Sequence, residues 1–285
     1  MKPFMLTTGS GAAAFGLVVA AGDIKNYDVH RALLSDLPPP AIAVCADGGL
    51  RHAVGLGVMP DVILGDFDSA DEELLAEYRG AGIPLDKHPA DKDYTDTELA
   101  VRRAVLAVEQ AAKMAGRATH AADRAASVPD HLMPTPDRAA AGRAAILCLG
   151  AFGGRIDHTV ANLQLMYKYA LRGVRIALAD DHGIAAVLVP GGTLRIDRRR
   201  PAASLLDLLA YSGFSSNPAF SQAKISILPI GGAARGVSVT GLKYPLRDAE
   251  LEACYTSGVS NEFASAGCAT VGLREGAICV MICAD

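Results

Sequence analysis

Residues 60–69 read Pro60-Asp61-Val62-Ile63-Leu64-Gly65-Asp66-Phe67-Asp68-Ser69, a short β-branched apolar run that stops at a glycine and two aspartates. A run of this length closed by turn residues is the pattern of a strand buried on both faces, as in a parallel sheet. Runs of the same kind lie at Phe15 to Ala21, Ala41 to Ala46, Ala145 to Gly150 and Val174 to Asp180, with a weaker one at Ile83 to Lys87. Amphipathic stretches separate them, so the first part of the chain is expected to be an α/β domain with a mainly parallel sheet flanked by helices. Two helix starts are marked by capping boxes. Ser69 with Glu72 predicts a helix from Ala70 to about Arg79, and Thr95 with Glu98 predicts one from Asp96 onward.

After Pro190-Gly191-Gly192 the character changes to strands and turns, at Thr193 to Ile196, Lys224 to Ile230, Gly236 to Thr240, Ala269 to Leu273 and Ala277 to Cys283. The expected organisation is an α/β domain over residues 1–190 followed by an all-β sandwich domain over 191–285. Residues 113–143, rich in Ala, Arg, Asp and Pro without a core face, read as a surface insertion. Residues 197–223 read as a long connection holding an apolar patch, Ser204 to Tyr211.

The 285 residues are 51% hydrophobic, enough for a substantial core. Lysine and arginine total 27 against 31 acidic residues, a net charge of −4, which excludes a dedicated nucleic-acid binder. The basic triplet Arg198-Arg199-Arg200 reads as a solvated loop. Six cysteines without a C-x-x-C pair, several inside apolar runs, indicate free thiols in a reducing compartment. The apolar segment Gly11 to Gly22 is too short to span a membrane and reads as the first buried strand rather than a secretory signal. A soluble cytoplasmic protein with no membrane partner is expected.

No lysine is followed by serine or threonine, so there is no Walker A phosphate loop, and no H-E-x-x-H or G-x-S-x-G motif occurs. Gly9-Ser10-Gly11-Ala12-Ala13-Ala14 fits G-x-G-x-x-A, but a strand rather than a helix is expected after it. The informative pattern is positional. Asp47-Gly48-Gly49, Asp66-Phe67-Asp68, Asp91 to Asp96, and Gly153-Gly154-Arg155-Ile156-Asp157-His158 each follow an expected strand. In a parallel sheet these junctions share one edge, where open α/β sheets bind ligands. Asp66 and Asp68 offer hard oxygen ligands for Mg²⁺. Gly153 and Gly154 let backbone N–H groups approach a phosphate, and Arg155 offers a fork of donors. His158, near a helix start, reads as a packing or capping group.

With these residues in view, the chain resembles the thiamin pyrophosphokinase family. The matching segments are Ala46 to Gly49, Pro60 to Ser69, Asp91 to Glu98, Gly150 to His158, Ile227 to Ile230, Gly241 to Leu246 and Ser260 to Glu262, in that order. The resemblance implies transfer of the β,γ-pyrophosphoryl group of ATP to the hydroxyl of thiamine, with Mg²⁺, releasing AMP. It also implies a homodimer whose sites lie between subunits. By motif, Asp66, Asp68 and Asp96 fall to the metal and catalytic centre, with Asp96 orienting the hydroxyl and accepting its proton or ligating metal. Asp47, Gly48, Gly49, Lys92, Thr95, Gly154, Arg155 and Asp157 fall to the nucleotide, and Tyr244, Ser260 and Asn261 to thiamine.

Two rival readings are open at this point. A haloacid-dehalogenase-type phosphatase would use Asp66 of Asp66-Phe67-Asp68 as nucleophile, although Ala70 stands where that motif carries threonine or valine. A silent sensor of thiamine diphosphate or nucleotide would need fewer carboxylates beside an anionic ligand.

Overall fold

Five apolar runs become strands because each is buried between layers, while the sixth strand, Leu85–Lys87 at the sheet edge, is mostly exposed. A computed structural model describes residues 15–35, 37–68, 70–91, 93–117, 144–181, 183–197, 223–265 and 267–283. Strands β1 (Phe15–Val19), β2 (Ile42–Ala46), β3 (Val62–Gly65), β4 (Leu85–Lys87), β5 (Ala145–Leu149) and β6 (Arg175–Asp180) are mutually parallel. Every residue of β1, β2, β3 and β5 is buried, which is why these strands read as continuous apolar runs.

The sheet then continues through antiparallel strands β7 (Gly183–Leu188), β13 (Ile278–Cys283) and β9 (Lys224–Pro229). Its order is β4-β3-β2-β1-β5-β6-β7-β13-β9. The second sheet, ordered β11-β10-β12-β8, holds β8 (Thr193–Asp197), β10 (Ala234–Thr240), β11 (Leu246–Leu251) and β12 (Cys268–Gly272). The strands after residue 190 are thus divided, two completing the first sheet and four forming the second.

One face of the long sheet carries α1 (Tyr27–Ser35), α2 (Leu50–Leu56) and α3 (Glu72–Gly80) at its parallel end, and the four-stranded sheet at its antiparallel end. Leu33, Leu56 and Leu75 join Ile196, Val239, Val271 and Val280 in one apolar cluster there. The opposite face is covered by α4 (Asp96–Arg117) and α5 (Ile156–Ala170). Ala100, Val101, Ala104, Val105 and Val108 form a helical stripe on α4, each no more than 3% exposed.

Several boundaries differ from expectation. The second capping box is half realised: Thr95 Oγ1 accepts from Glu98 N at 3.1 Å, while the Glu98 carboxylate receives Lys168 Nζ of α5 at 2.6 Å instead of turning back. For the first, the cap is Asp71, whose carboxylate accepts from Glu73 N and Leu74 N at 2.9 and 3.1 Å, so α3 begins at Glu72. Residues 113–117, expected in the insertion, continue α4. The rest of that insertion, most of the 197–223 connection, the arginine triplet, the Gly9 motif, Ser69 and Lys92 lie outside the described residues.

Candidate active site

The acidic junctions meet where the parallel strands end. Asp47 follows β2 in a 3-10 turn (Asp47–Gly49), and Asp66 and Asp68 follow β3. Carboxylate oxygens of these three residues all lie within 4.8 Å of one another. Backbone distortion brings them together: Asp47 has φ 42° and Phe67 φ 64°, left-handed values that a residue with a Cβ adopts only at a cost of about 1–3 kcal/mol. Phe67 anchors its ring against the core, and the tight bend lets Asp68 N donate to Asp66 Oδ1 at 3.3 Å. Gly65 has φ 148°, and a Cβ on it would stand 2.9 Å from the Asp47 Cβ. Gly49 is equally constrained, since its Cβ would meet the Val19 carbonyl at 2.3 Å.

Three hard oxygen donors at this separation suit a cation such as Mg²⁺. A cavity of about 390 Å³ adjoins the group, lined by Gly48, Leu50, Arg51, Asp68, Ala70, Asp71 and Leu74. Asp96 occupies the first turn of α4 and does not join the three-carboxylate group. Thr95, beside it, is engaged as the helix cap. Tyr94 lies under Arg102, 4.7 Å from its ring centroid, which ties this loop to α4.

The order of the long sheet reverses between β1 and β5: β2 to β4 extend from one side of β1, and β5 and β6 lie on the other. The loops after these two strands therefore border the topological switch point, where doubly wound sheets bind ligands. The β5 loop carries Gly153 and Gly154 at φ 76° and 61°. Arg155 Nε donates to Asp157 Oδ1 at 3.1 Å, and the second guanidinium arm reaches Oδ2, so the fork expected on a phosphate is occupied by Asp157. These bonds hold the Asp157 carboxyl below its usual range. His158 stands half-buried in the first turn of α5.

The β1 loop is secured from below. Gly22 N donates to Gly150 O at 2.8 Å and Asp23 N to Phe152 O at 3.3 Å. His52 of α2, 4% exposed, has Nε2 2.6 Å from the Gly22 carbonyl and Nδ1 2.8 Å from the Tyr27 hydroxyl. A carbonyl can only accept, so Nε2 carries the proton and Nδ1 accepts from Tyr27. Burial pushes the His52 pKa down, which favours this neutral form. Arg51 Nη2 donates to Ala21 O at 2.9 Å beside the cavity. Neither Asp23 nor Arg51 stood out in the sequence, although Asp23 obeys the same rule as the other acids, following a parallel strand.

Tyr244, Ser260 and Asn261 come together on the four-stranded side. Asn261 Oδ1 accepts from Tyr244 N at 3.1 Å and from Glu262 N at 2.9 Å, and Asn261 Nδ2 donates to Tyr244 O at 2.8 Å. The amide thus clips the Tyr244 backbone, and Tyr244 is 60% exposed. Lys243 Nζ lies 5.4 Å from that ring centroid and 3.2 Å from Glu262 Oε2. Ser260 has φ 59°, with its N–H on Ser226 Oγ at 3.1 Å, and Asn261 bridges Ile225 of β9.

Comparison with known proteins follows the same division. A family model described as "Thiamin pyrophosphokinase, catalytic domain" matches residues 39–178, and one described as "Thiamin pyrophosphokinase, vitamin B1 binding domain" matches 216–278. Together they cover more than two thirds of the chain. The thiamine pyrophosphokinase of Bacillus subtilis is 24% identical over 216 residues, 76% of this chain and 75% of that one. Its crystal structure superposes with a TM-score of 0.64 at 21% identity, covering 95% of this chain and 99% of that one. Thiamin pyrophosphokinase from Candida albicans gives a TM-score of 0.67 at 19% identity, covering 96% and 90%. These two superpositions bear on the fold.

Proposed function

The chain belongs to the thiamin pyrophosphokinase family, and on that premise we propose that it transfers pyrophosphate from ATP to the primary hydroxyl of thiamine. The observation that carries the reading is the three-carboxylate group at the ends of β2 and β3, a donor set suited to a metal-bound polyphosphate. Asp47, Asp66 and Asp68 would hold Mg²⁺, which supplies charge neutralisation when bound. This moves Asp47 from the nucleotide set to the metal set.

The thiamine oxygen attacks the β-phosphorus in line, the bond from that phosphorus to the α,β-bridging oxygen breaks, and AMP leaves. Asp96 is assigned to the hydroxyl, which it orients and whose proton it accepts. Gly48, Gly49, Lys92, Thr95, Gly154, Arg155 and Asp157 remain our assignment for shaping the nucleotide side, with Thr95 acting through the α4 N-terminus. Tyr244, held by Asn261 and flanked by Ser260, offers an aromatic face to the thiazolium cation. The division into 1–190 and 191–285 is kept as a functional one, nucleotide side and thiamine side, across a shared sheet.

The strand order argues that each site needs two chains. Asp66 leaves β3, while Asn261 bridges β9, seven strands further along the same sheet. At about 4.8 Å per strand the two edges stand roughly 33 Å apart, beyond what one thiamine molecule spans. A closed two-fold homodimer that sets one protomer's Tyr244 beside its partner's carboxylates resolves the separation. The cytoplasm is our assignment for the compartment; free thiols at all six cysteines, three of them with pKa values pushed by burial to about 12, agree with it. No helix among the described residues is long and apolar enough to cross a membrane.

Incubation with ATP, Mg²⁺ and thiamine is expected to yield AMP and thiamine diphosphate in equal amounts, with no AMP when thiamine is omitted. Release of inorganic phosphate with a trapped phospho-aspartate would favour the phosphatase reading, and nucleotide binding without turnover would favour the sensor. The family matches support neither alternative.

A further inference from the structure

We infer that Asp23 is a specificity residue for the nucleotide, accepting hydrogen bonds from the vicinal hydroxyls of its ribose at the β1/β5 switch point. The inference rests on the ATP-dependent reading above and deepens it by orienting the nucleotide.

Asp23 is exposed, and its carboxylate makes no hydrogen bond among the described residues. Its backbone, by contrast, is fixed on both sides. Gly22 is bonded to Gly150 and His52, Asp23 to Phe152, and Lys25 N and Asn26 N both donate to the Asp181 carboxylate of the β6–β7 turn. The next loop is shaped around the side chain: a Cβ on Gly153 would stand 3.2 Å from the Asp23 Cβ and 3.4 Å from its Oδ2, and one on Gly154 would stand 4.0 Å from Oδ1. A Cβ on Gly22 would meet the Phe152 and Gly150 carbonyls at 2.3 and 2.5 Å, so the two loops interlock through their glycines. A free carboxylate on a locked loop is a preorganised acceptor.

Charge decides which part of the nucleotide it accepts. Around Gly153 and Gly154 stand Asp23, Arg155 and Asp157, and Arg155 is already paired with Asp157, so the loop is net anionic. A phosphate on those glycine amides would face the Asp23 carboxylate without a free cation of the trio to offset it. Neutral hydroxyl donors suit the place, as with the acidic residue that receives a ribose in dinucleotide-binding sheets. The polyphosphate then runs away from Asp23 toward the group of Asp47, Asp66 and Asp68.

The test compares ATP with 2′,3′-dideoxy-ATP, in turnover with thiamine and in calorimetric binding with Mg²⁺ alone. The wild-type protein is expected to favour ATP by about tenfold or more, the scale of a hydroxyl held by a charged acceptor. Asp23→Ala should bring the two nucleotides within about twofold by weakening ATP and leaving the dideoxy analogue unchanged. Asp23→Asn, equal in shape, should fall between and guards against a folding defect in the alanine variant. An unchanged ratio in both variants, or tighter binding of both nucleotides alike, would overturn the inference, the latter because it would put phosphate beside Asp23. AMP release without discrimination in the wild type would also overturn it while leaving the proposed reaction standing. Discrimination in binding without AMP release would do the reverse, and binding of neither nucleotide would end both.

Discussion

The two ends of the nine-stranded sheet build their proposed functional surfaces by opposite means. At the parallel end, side chains are forced together: Asp47 and Phe67 take left-handed backbone and Gly65 yields its side-chain space, so that three like charges converge. At the antiparallel end a side chain is left out, because Asn261 uses its amide on the Tyr244 backbone and the ring faces solvent. Converging carboxylates repel and gain stability only with a cation or a proton. An exposed ring held by neutral hydrogen bonds carries no such penalty. On the proposed function, strain and charge mark the chemical end, and a hydrogen-bonded clip marks the recognition end.

The sharpest way to break this contrast is at the carboxylates. Asp66→Asn and Asp68→Asn should each retain the fold and lower kcat by roughly 10² or more, since metal-assisted charge stabilisation contributes several kcal/mol. Steady-state assays at saturating Mg²⁺ check this, and near-normal turnover in both variants would remove them from the centre. Next in size is Gly65→Ala, where the added Cβ meets Asp47 in a backbone region disfavoured for alanine. Destabilisation of about 1–3 kcal/mol in denaturant unfolding is expected, with turnover lower by at least about tenfold.

Asn261→Ala probes the other end. Without the clip the Tyr244 backbone loosens, and KM for thiamine should rise about tenfold while KM for ATP stays within about twofold. Equal changes in both constants would mean that the clip serves overall stability rather than recognition. The smallest effect expected is a pH dependence from His52. Burial lowers its folded pKa, so the unfolded chain takes up the proton first as pH falls below about 6.5. The stabilisation is complete above that value and is lost as pH falls toward the folded pKa. Melting curves at pH 7.5 and 5.5 should show a larger drop for wild type than for His52→Gln, and equal drops would indicate that His52 is protonated in the fold.

What local sequence can carry explains what was legible. Buried parallel strands need unbroken apolar runs, so β1, β2, β3, β5 and β6 stood out, and with them the acids after β2, β3 and β5. Strand β11, at the edge of the smaller sheet, alternates little and is mostly exposed, so Leu246–Leu251 gives no pattern. Strand β7 follows β6 so closely that its apolar residues merge with it. The joining of β9 and β13 to the first sheet is a long-range pairing with no local sign. Ser69 and Asp71 are two candidate cap residues two positions apart, and the cap bonds to Glu73 N and Leu74 N are made by Asp71. The approach of Asp47 to Asp66 and Asp68 depends on Gly65, a contact between strands with no local sign in the sequence.

Whether one site draws on both ends of the sheet, each from a different subunit, is tested most directly by complementation. Asp66→Asn and Tyr244→Ala proteins, each weak alone, are unfolded together and refolded as a random mixture, with heterodimers confirmed by mass. In a two-fold dimer with shared sites each heterodimer has one doubly altered site and one intact site, so AMP release should recover to roughly a quarter of the wild-type rate. A mixture no more active than the average of its parents would place each site within a single chain and contradict the shared arrangement.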